Sequence, residues 1–279
     1  MLEDRIIMER TIRRALEEDL GPGDLTTDAV IGPDRQGRAS LLAREEMVLA
    51  GLAVFRRVFE ILSAEMTFEF YYEEGQVVGE GERICQMFGS VHAILKGERT
   101  ALNFLQRMSG IATLTRRYVD KIRSHKVRLV DTRKTVPGLR TFDKYAVRIG
   151  GGFNHRIGLY DGILIKDNHI VAAGSVTEAV FLAKQGCPHT IKVEVEVEDL
   201  DELEEAIQAG ADVVLLDNMS AQTLKKAVRL SKGRVLLEAS GGITIENIEE
   251  IAETGVDIIS VGALTHSVRA VDISLEITA

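Results

Sequence analysis

The chain has 279 residues, enough for one large α/β domain and a smaller one. Its 43 Asp and Glu outweigh 34 Lys and Arg, a formal charge of −9 that argues against a general nucleic-acid binder, which carries a basic footprint. Aromatic residues make up 5% with no Trp, so a base-stacking platform is not expected either. Cys85 and Cys187 stand far apart, with no metal-binding spacing. Two lone thiols fit a reducing compartment. The start, MLEDRIIMER, is charged and amphipathic, unlike a signal peptide. No apolar run approaches the roughly 18 residues that span a bilayer. A cytoplasmic protein without nucleic-acid or membrane partners is expected.

The first half reads as an α+β domain. Residues 1–18 form an amphipathic helix ended by Gly21-Pro22-Gly23. Ala39–Ala50 and Met66–Tyr72 are expected strands around a helix at Leu52–Leu62, and Gly75–Met87 is a Gly-punctuated turn and strand. Val91–Arg123 has apolar residues at helical spacing and predicts one long helix or two joined ones. From about residue 125 one unit repeats: a β-branched run, a turn, an amphipathic helix. The runs are Val127–Asp131, Gly162–Lys166, Ile191–Val197, Asp212–Asp217, Arg234–Ala239 and Asp257–Val261. Helices are expected at Leu200–Ala209, Ala221–Leu230 and Ile245–Glu253. This alternation predicts a parallel sheet, closed or nearly closed into a (β/α) barrel. The expected division is a first domain over 1–110 and a barrel domain over 111–269.

Barrels place their chemistry where the C-terminal strand ends converge. Asp131–His169 holds an excess of cations, among them Arg133, Lys134, Arg140, Lys144, Arg148, Arg156 and Lys166. Such a cluster makes a pocket for anions, and Arg in particular grips planar carboxylates. Lys166 directly follows the apolar Ile163-Leu164-Ile165 and belongs at the barrel mouth. Arg140, Lys144 and Arg148, spaced i, i+4, fit a solvated helix face as well as a pocket. In Lys192–Glu198 strict alternation sends the valines to one face, outward against the helices, and Glu194 and Glu196 inward. Asp217 adds a carboxylate one strand over. Such carboxylates bind sugar hydroxyls, or Mg²⁺ together with waters and a ligand phosphate. Ser240-Gly241-Gly242 and Gly262-Ala263 end the last strands with small residues, a setting for a phosphate cradle. His155 and His169 sit in the basic region, and His266 follows the second glycine site. Residues alone thus predict sites for a small polyanion and a phosphorylated sugar.

The motifs Gly97-Glu98-Arg99-Thr100, Asp131-Thr132-Arg133-Lys134-Thr135, Asn154-His155-Arg156, Lys166-Asp167-Asn168-His169, Glu194-Val195-Glu196-Val197, Leu216-Asp217-Asn218, Ser240-Gly241-Gly242 and Gly262-Ala263-Leu264-Thr265-His266 span nearly the whole chain. Together they resemble the quinolinate phosphoribosyltransferase family. The resemblance implies a decarboxylating pentosyltransferase of NAD biosynthesis, which joins quinolinate to 5-phosphoribosyl-1-pyrophosphate and releases nicotinate mononucleotide, pyrophosphate and CO2. It implies an N-terminal α/β sandwich and an incomplete (β/α) barrel, the chain's last ten residues (270–279) returning as a strand to the first domain. Thr132, Arg133, Lys134, His155, Arg156 and Lys166 are implied around the quinolinate carboxylates, with Arg99 arriving from the neighbouring subunit of a homodimer or higher oligomer. Glu196 and Asp217 are implied at the ribose hydroxyls, Ser240, Gly241, Gly242, Gly262 and His266 at the 5-phosphate, and Ala263 and Leu264 among the substrate-binding residues. Lys134, Lys166, Glu196 and Asp217 are the implied catalytic set. Mg²⁺ is the implied cofactor, carried mainly by the substrate near Glu196 and Asp217, with no residue assigned as its ligand. Three rivals remain: a barrel aldolase using Lys166 as a Schiff base, a related protein associated with molybdenum transport, and a non-catalytic metabolite sensor.

Overall fold

The computed structural model describes residues 5–278. In chain order the elements are α1 (Arg5–Leu20), α2 (Leu25–Val30), β1 (Gln36–Ala43), β2 (Met47–Val48), α3 (Leu52–Leu62), β3 (Thr67–Phe70), β4 (Val77–Val78), β5 (Arg83–Ser90) and the long α4 (Val91–Ile122). They continue as β6 (Arg128–Val130), α5 (Arg140–Ile149), β7 (Ile163–Ile165), α6 (Asp167–Ala173), α7 (Val176–Gly186), β8 (Val193–Val197), α8 (Leu200–Ala209), β9 (Val213–Asp217) and α9 (Ala221–Ser231). The last are β10 (Leu236–Ser240), α10 (Ile248–Ala252), β11 (Ile258–Ser260), α11 (Ala263–His266) and β12 (Ile273–Thr278). Of the expected first helix, Met1–Asp4 lie outside the described residues.

The chain divides into two compact units, one of Met1–Arg116, Thr135–Gly151 and Ser267–Ala279, the other of Arg117–Lys134 and Gly152–His266. The expected boundary at residue 110 falls inside α4, and α5, expected within the barrel domain, belongs to the first unit.

The first unit carries an antiparallel sheet in the order β12-β1-β5-β3, so the C-terminal strand pairs with β1 along its length. The expected strand Ala39–Ala50 is interrupted after Ala43: Arg44 N–H donates to Asp272 C=O at 2.9 Å, and Met47-Val48 pair separately with β4. The core forms where α3 brings Phe55 and Phe59 together edge-on, ring centroids 5.1 Å apart, with Phe59 next to Phe68 of β3. Inside α4, Gly110 is set by close approach, since a Cβ there would stand 2.3 Å from the carbonyl oxygen of Arg269.

The second unit is a parallel sheet in the order β6-β11-β10-β9-β8-β7, with Phe153 bridged in parallel beside Val130 at the β6 end. The sheet runs from that bridge to β7, an incomplete (β/α) barrel. Val193, Val195, Val197, Val214 and Leu216 are buried, as strands covered on both faces require. Local chemistry sets the helix ends. The Asp199 carboxylate accepts from the N–H groups of Asp201 and Glu202 to start α8, and Gly210 closes it at φ 82°.

Candidate active site

The C-terminal ends of the parallel strands carry the polar groups. After β6, Asp131 is fully buried and accepts from Asn154 Nδ2 at 2.6 Å and from the His155 N–H at 2.9 Å, tying two loops together. Arg133 and Lys134 follow and are exposed. Lys134 is anchored through its backbone: its N–H donates to Thr132 Oγ1 at 3.0 Å, and its C=O accepts from Thr265 Oγ1 at 2.8 Å. A Cβ on Gly262 would lie 3.1 Å from both Lys134 Cδ and the His266 ring. Lys134, Gly262 and His266 therefore share one corner of the site, where α11 begins.

Lys166 occupies the N-cap of α6, its N–H donating to His169 Nδ1 at 3.0 Å. Its ammonium pairs with the Glu196 carboxylate one strand away. Asp217 ends β9 and accepts from Asn218 Nδ2 at 2.6 Å. After β10, Gly241 and Gly242 are exposed and both left-handed, at φ 89° and 60°. Such a turn keeps backbone amides accessible for an anion.

Beneath this rim lies a buried acidic pair. His155 Nε2 stands 3.1 Å from Glu194 Oε2 and 3.6 Å from Glu238 Oε2, on β8 and β10 respectively. Glu194 and Glu238 are 7% and 1% exposed. Burial first, and the neighbouring Glu194 charge second, push the Glu238 carboxyl up to about 7, against the opposing pull of His155 and Ser260. The three ligand atoms lie within 4.8 Å of one another, as metal donors do. His155 Nδ1, however, accepts the Arg156 N–H at 2.7 Å. The neutral ring therefore keeps its proton on Nε2 and directs it at Glu194, an arrangement for hydrogen bonding rather than for a cation. Arg156 Nη1 donates to Gly162 C=O at 3.0 Å. Its guanidinium is held below its ordinary pKa by burial and by Arg133, an effect offset by Glu194 and Asp161.

The second unit thus brings Thr132, Arg133, Lys134, His155, Arg156, Lys166, Glu196, Asp217, Ser240, Gly241, Gly242, Gly262, Ala263, Leu264 and His266 into one framework of strand ends. Arg99 is exposed in the third turn of α4, within the first unit. Arg140, Lys144 and Arg148 are on α5, also in the first unit, with Lys144 fully buried. Asp131, Asn154, Asn218 and Glu238 were given no role by sequence reasoning. Asp131 and Glu238 each had a signal, a carboxylate in an apolar strand next to a small or hydroxyl residue.

Fold and site define an α/β protein whose incomplete barrel gathers cations, carboxylates and glycine turns at its strand ends. Residues 24–109 match the model of the N-terminal domain of quinolinate phosphoribosyl transferase, and residues 111–276 that of its C-terminal domain. The chain is 44% identical over 271 residues to a probable nicotinate-nucleotide pyrophosphorylase [carboxylating] of Bacillus subtilis, covering 97% of this chain and 93% of the relative. A quinolinate phosphoribosyltransferase [decarboxylating] of Nicotiana tabacum is 42% identical, with 97% and 82% covered. Among solved structures, the nicotinate-nucleotide pyrophosphorylase from Francisella tularensis superposes with a TM-score of 0.93 at 46% identity, covering 98% of this chain and 96% of that one. The chain belongs to the quinolinate phosphoribosyl transferase family. Among the described residues no helix is long and apolar enough to cross a membrane.

Proposed function

We propose that this chain transfers the phosphoribosyl group of 5-phosphoribosyl-1-pyrophosphate to quinolinate, releasing pyrophosphate and CO2 and forming nicotinate mononucleotide. The observation that carries the reading is the ring of strand ends on which Lys134, Arg156, Lys166, Glu196 and Asp217 meet the glycine turns after β10 and β11. Arg133, Arg156 and Lys166, with Thr132, supply charge and hydrogen bonds for two carboxylates on one small ring. Ser240, Gly241, Gly242, Gly262, Ala263, Leu264 and His266 supply the 5-phosphate cradle. Glu196 and Asp217 take the ribose hydroxyls, which requires Lys166 to be drawn from Glu196 toward the substrate.

The chemistry follows from charge. The ribose C1–pyrophosphate bond breaks through an oxocarbenium-like state, and Lys134 faces the developing negative charge. The pyridine nitrogen bonds to C1. The pyridinium so formed accepts the electron pair of the adjacent C–CO2⁻ bond as CO2 departs, and the ring carbon then takes a proton. Two carboxylates at adjacent strand ends, Glu196 and Asp217, are oxygen donors suited to the surroundings of a hard cation. Mg²⁺ bound to the pyrophosphate would neutralise the leaving group.

We further propose a cytoplasmic homodimer, or an assembly of such dimers, with the partner subunit's Arg99 completing each pocket. The free thiols Cys85 and Cys187 fit a reducing compartment. An apolar surface beside the open β7 end supports association. Leu159 and Leu182 line one cavity there, and Tyr160, Val171 and Phe181 are exposed by half or more. Quinolinate-dependent formation of nicotinate mononucleotide tests the activity. If none forms with Mg²⁺ present, the reading fails.

A further inference from the structure

The buried pair beneath the rim has no part in the reaction outlined above, and its geometry demands an explanation. Glu194 and Glu238 project from β8 and β10, on either side of β9, into the interior of the sheet. Each keeps one buried carboxyl oxygen, Oε1, without a hydrogen-bond partner. The proton of His155 Nε2 goes to Glu194 Oε2 at 3.1 Å while Glu238 Oε2 stands 3.6 Å away, and the ring has no second proton to give, because Nδ1 accepts the Arg156 N–H. Two ionised carboxylates so close in a buried interior repel each other, with the His155 proton on Glu194 and only the Ser260 hydroxyl beside Glu238. One proton between them removes the repulsion and makes one carboxyl a donor to the other.

The remaining single charge has a use. Facing this cluster are Arg156 on the loop after Phe153, with Arg133 from the loop after β6 acting on it, and the carboxylates of Asp161 and Asp131. Ser260 on β11 adds a hydroxyl beside Glu238. Arg133 and Arg156 repel each other, and Glu194 is among the charges that relieve Arg156. His155 connects the acid pair to Arg156 through the backbone N–H.

We infer that Glu194 and Glu238 are positioning residues that share one proton and, through His155, hold Arg156 in place for a substrate carboxylate. The inference rests on the quinolinate reading. Neither acid touches substrate. Their effect falls on the aromatic acid, since the groups they face or act on are His155 and Arg156.

The test compares Glu238→Ala, Glu238→Gln and the double substitution Glu194→Gln/Glu238→Gln in the full-length enzyme. Glu238→Ala should raise KM for quinolinate about tenfold, the scale of a buried group left without its partner. The KM for phosphoribosyl pyrophosphate should change little. Glu238→Gln, the neutral isostere, should regain most of that loss. The double variant, with no charge left in the pair, should lose it again. A glutamine at 238 as poor as alanine, or a double variant as good as the single glutamine, overturns the inference. Infrared difference spectra provide a readout that does not depend on turnover: wild type should show a protonated-carboxyl stretch at neutral pH that moves in D2O and vanishes in the double variant. Absence of that band from wild type overturns the shared proton. A wild-type enzyme that shows the band but releases no CO2 from quinolinate refutes only the functional reading.

Discussion

Asn218 Nδ2 donates to Asp217 Oδ2 at 2.6 Å from a backbone held at φ 53°, so a strained left-handed residue fixes the carboxylate at the end of β9. Gly241 leaves room for that arrangement. It sits at φ 89°, and a Cβ there would stand 2.2 Å from Asn218 Oδ1. Asparagine tolerates this conformation because its short amide bonds locally.

Gly241→Ala should therefore displace Asn218, loosen Asp217 and lower kcat/KM for phosphoribosyl pyrophosphate by about tenfold. Positive φ alone costs an alanine on the order of 1 kcal/mol. Quinolinate binding, measured by calorimetry without the second substrate, should be little changed. Equal losses for both ligands would show that the turn supports the whole site.

Asp143 of α5 is fully buried and takes Arg107 of α4 in a two-point ion pair, at 2.9 Å and 2.8 Å. Removing one partner of such a pair leaves a desolvated charge. Asp143→Ala should lower the unfolding free energy by about 3–5 kcal/mol, read from urea denaturation. A change below about 1 kcal/mol, the range of surface pairs, would mean that the pair is well hydrated.

The Glu238 carboxyl, raised from 4.5 to about 7, sets a pH dependence of stability. The folded state binds this proton more tightly than the unfolded state. The contribution is thus fully present below about 4.5 and is lost as pH rises through about 7. Compared with Glu238→Gln, wild type should lose on the order of 3 kcal/mol across that window. Chemical denaturation of both proteins at several pH values measures the difference. Parallel curves would contradict the shift.

If the partner subunit's Arg99 completes each site, Arg99→Ala and Lys134→Ala should complement one another. One site of a mixed dimer collects both defects and the other collects neither. Random re-association of two inactive variants should restore about a quarter of wild-type activity, because half the dimers are mixed and each has one intact site. No recovery after verified subunit exchange would place Arg99 in its own chain's site.

Period-two and period-3.6 patterns made the parallel unit legible. Expected runs such as Asp212–Asp217 and helices such as Leu200–Ala209 agree with the structure to within two residues at most ends. Failures came where distant chain decides the outcome. The break after Ala43 depends on Asp272, over two hundred residues away, which no local pattern encodes. Arg140, Lys144 and Arg148 looked equally like a pocket or a wet helix face. The fully buried Lys144 fits neither reading, since burial of a lysine is set by what packs around it. Alternation with valines points Glu194 inward, but nothing local marks Glu238, before a glycine turn, as its partner. The pair exists only because β9 places the two strands on either side of itself.

The most direct measurement of the central claim uses quinolinate labelled at the carboxylate next to the ring nitrogen. With phosphoribosyl pyrophosphate and Mg²⁺, the enzyme should release labelled CO2 and pyrophosphate in equal amounts, and unlabelled nicotinate should give almost no pyrophosphate. The discrimination has a physical basis, because a monocarboxylate cannot meet Arg156 and Lys166 together as the two carboxylates of quinolinate would. Retention of the label in the nucleotide, or comparable pyrophosphate release with nicotinate, would contradict the account.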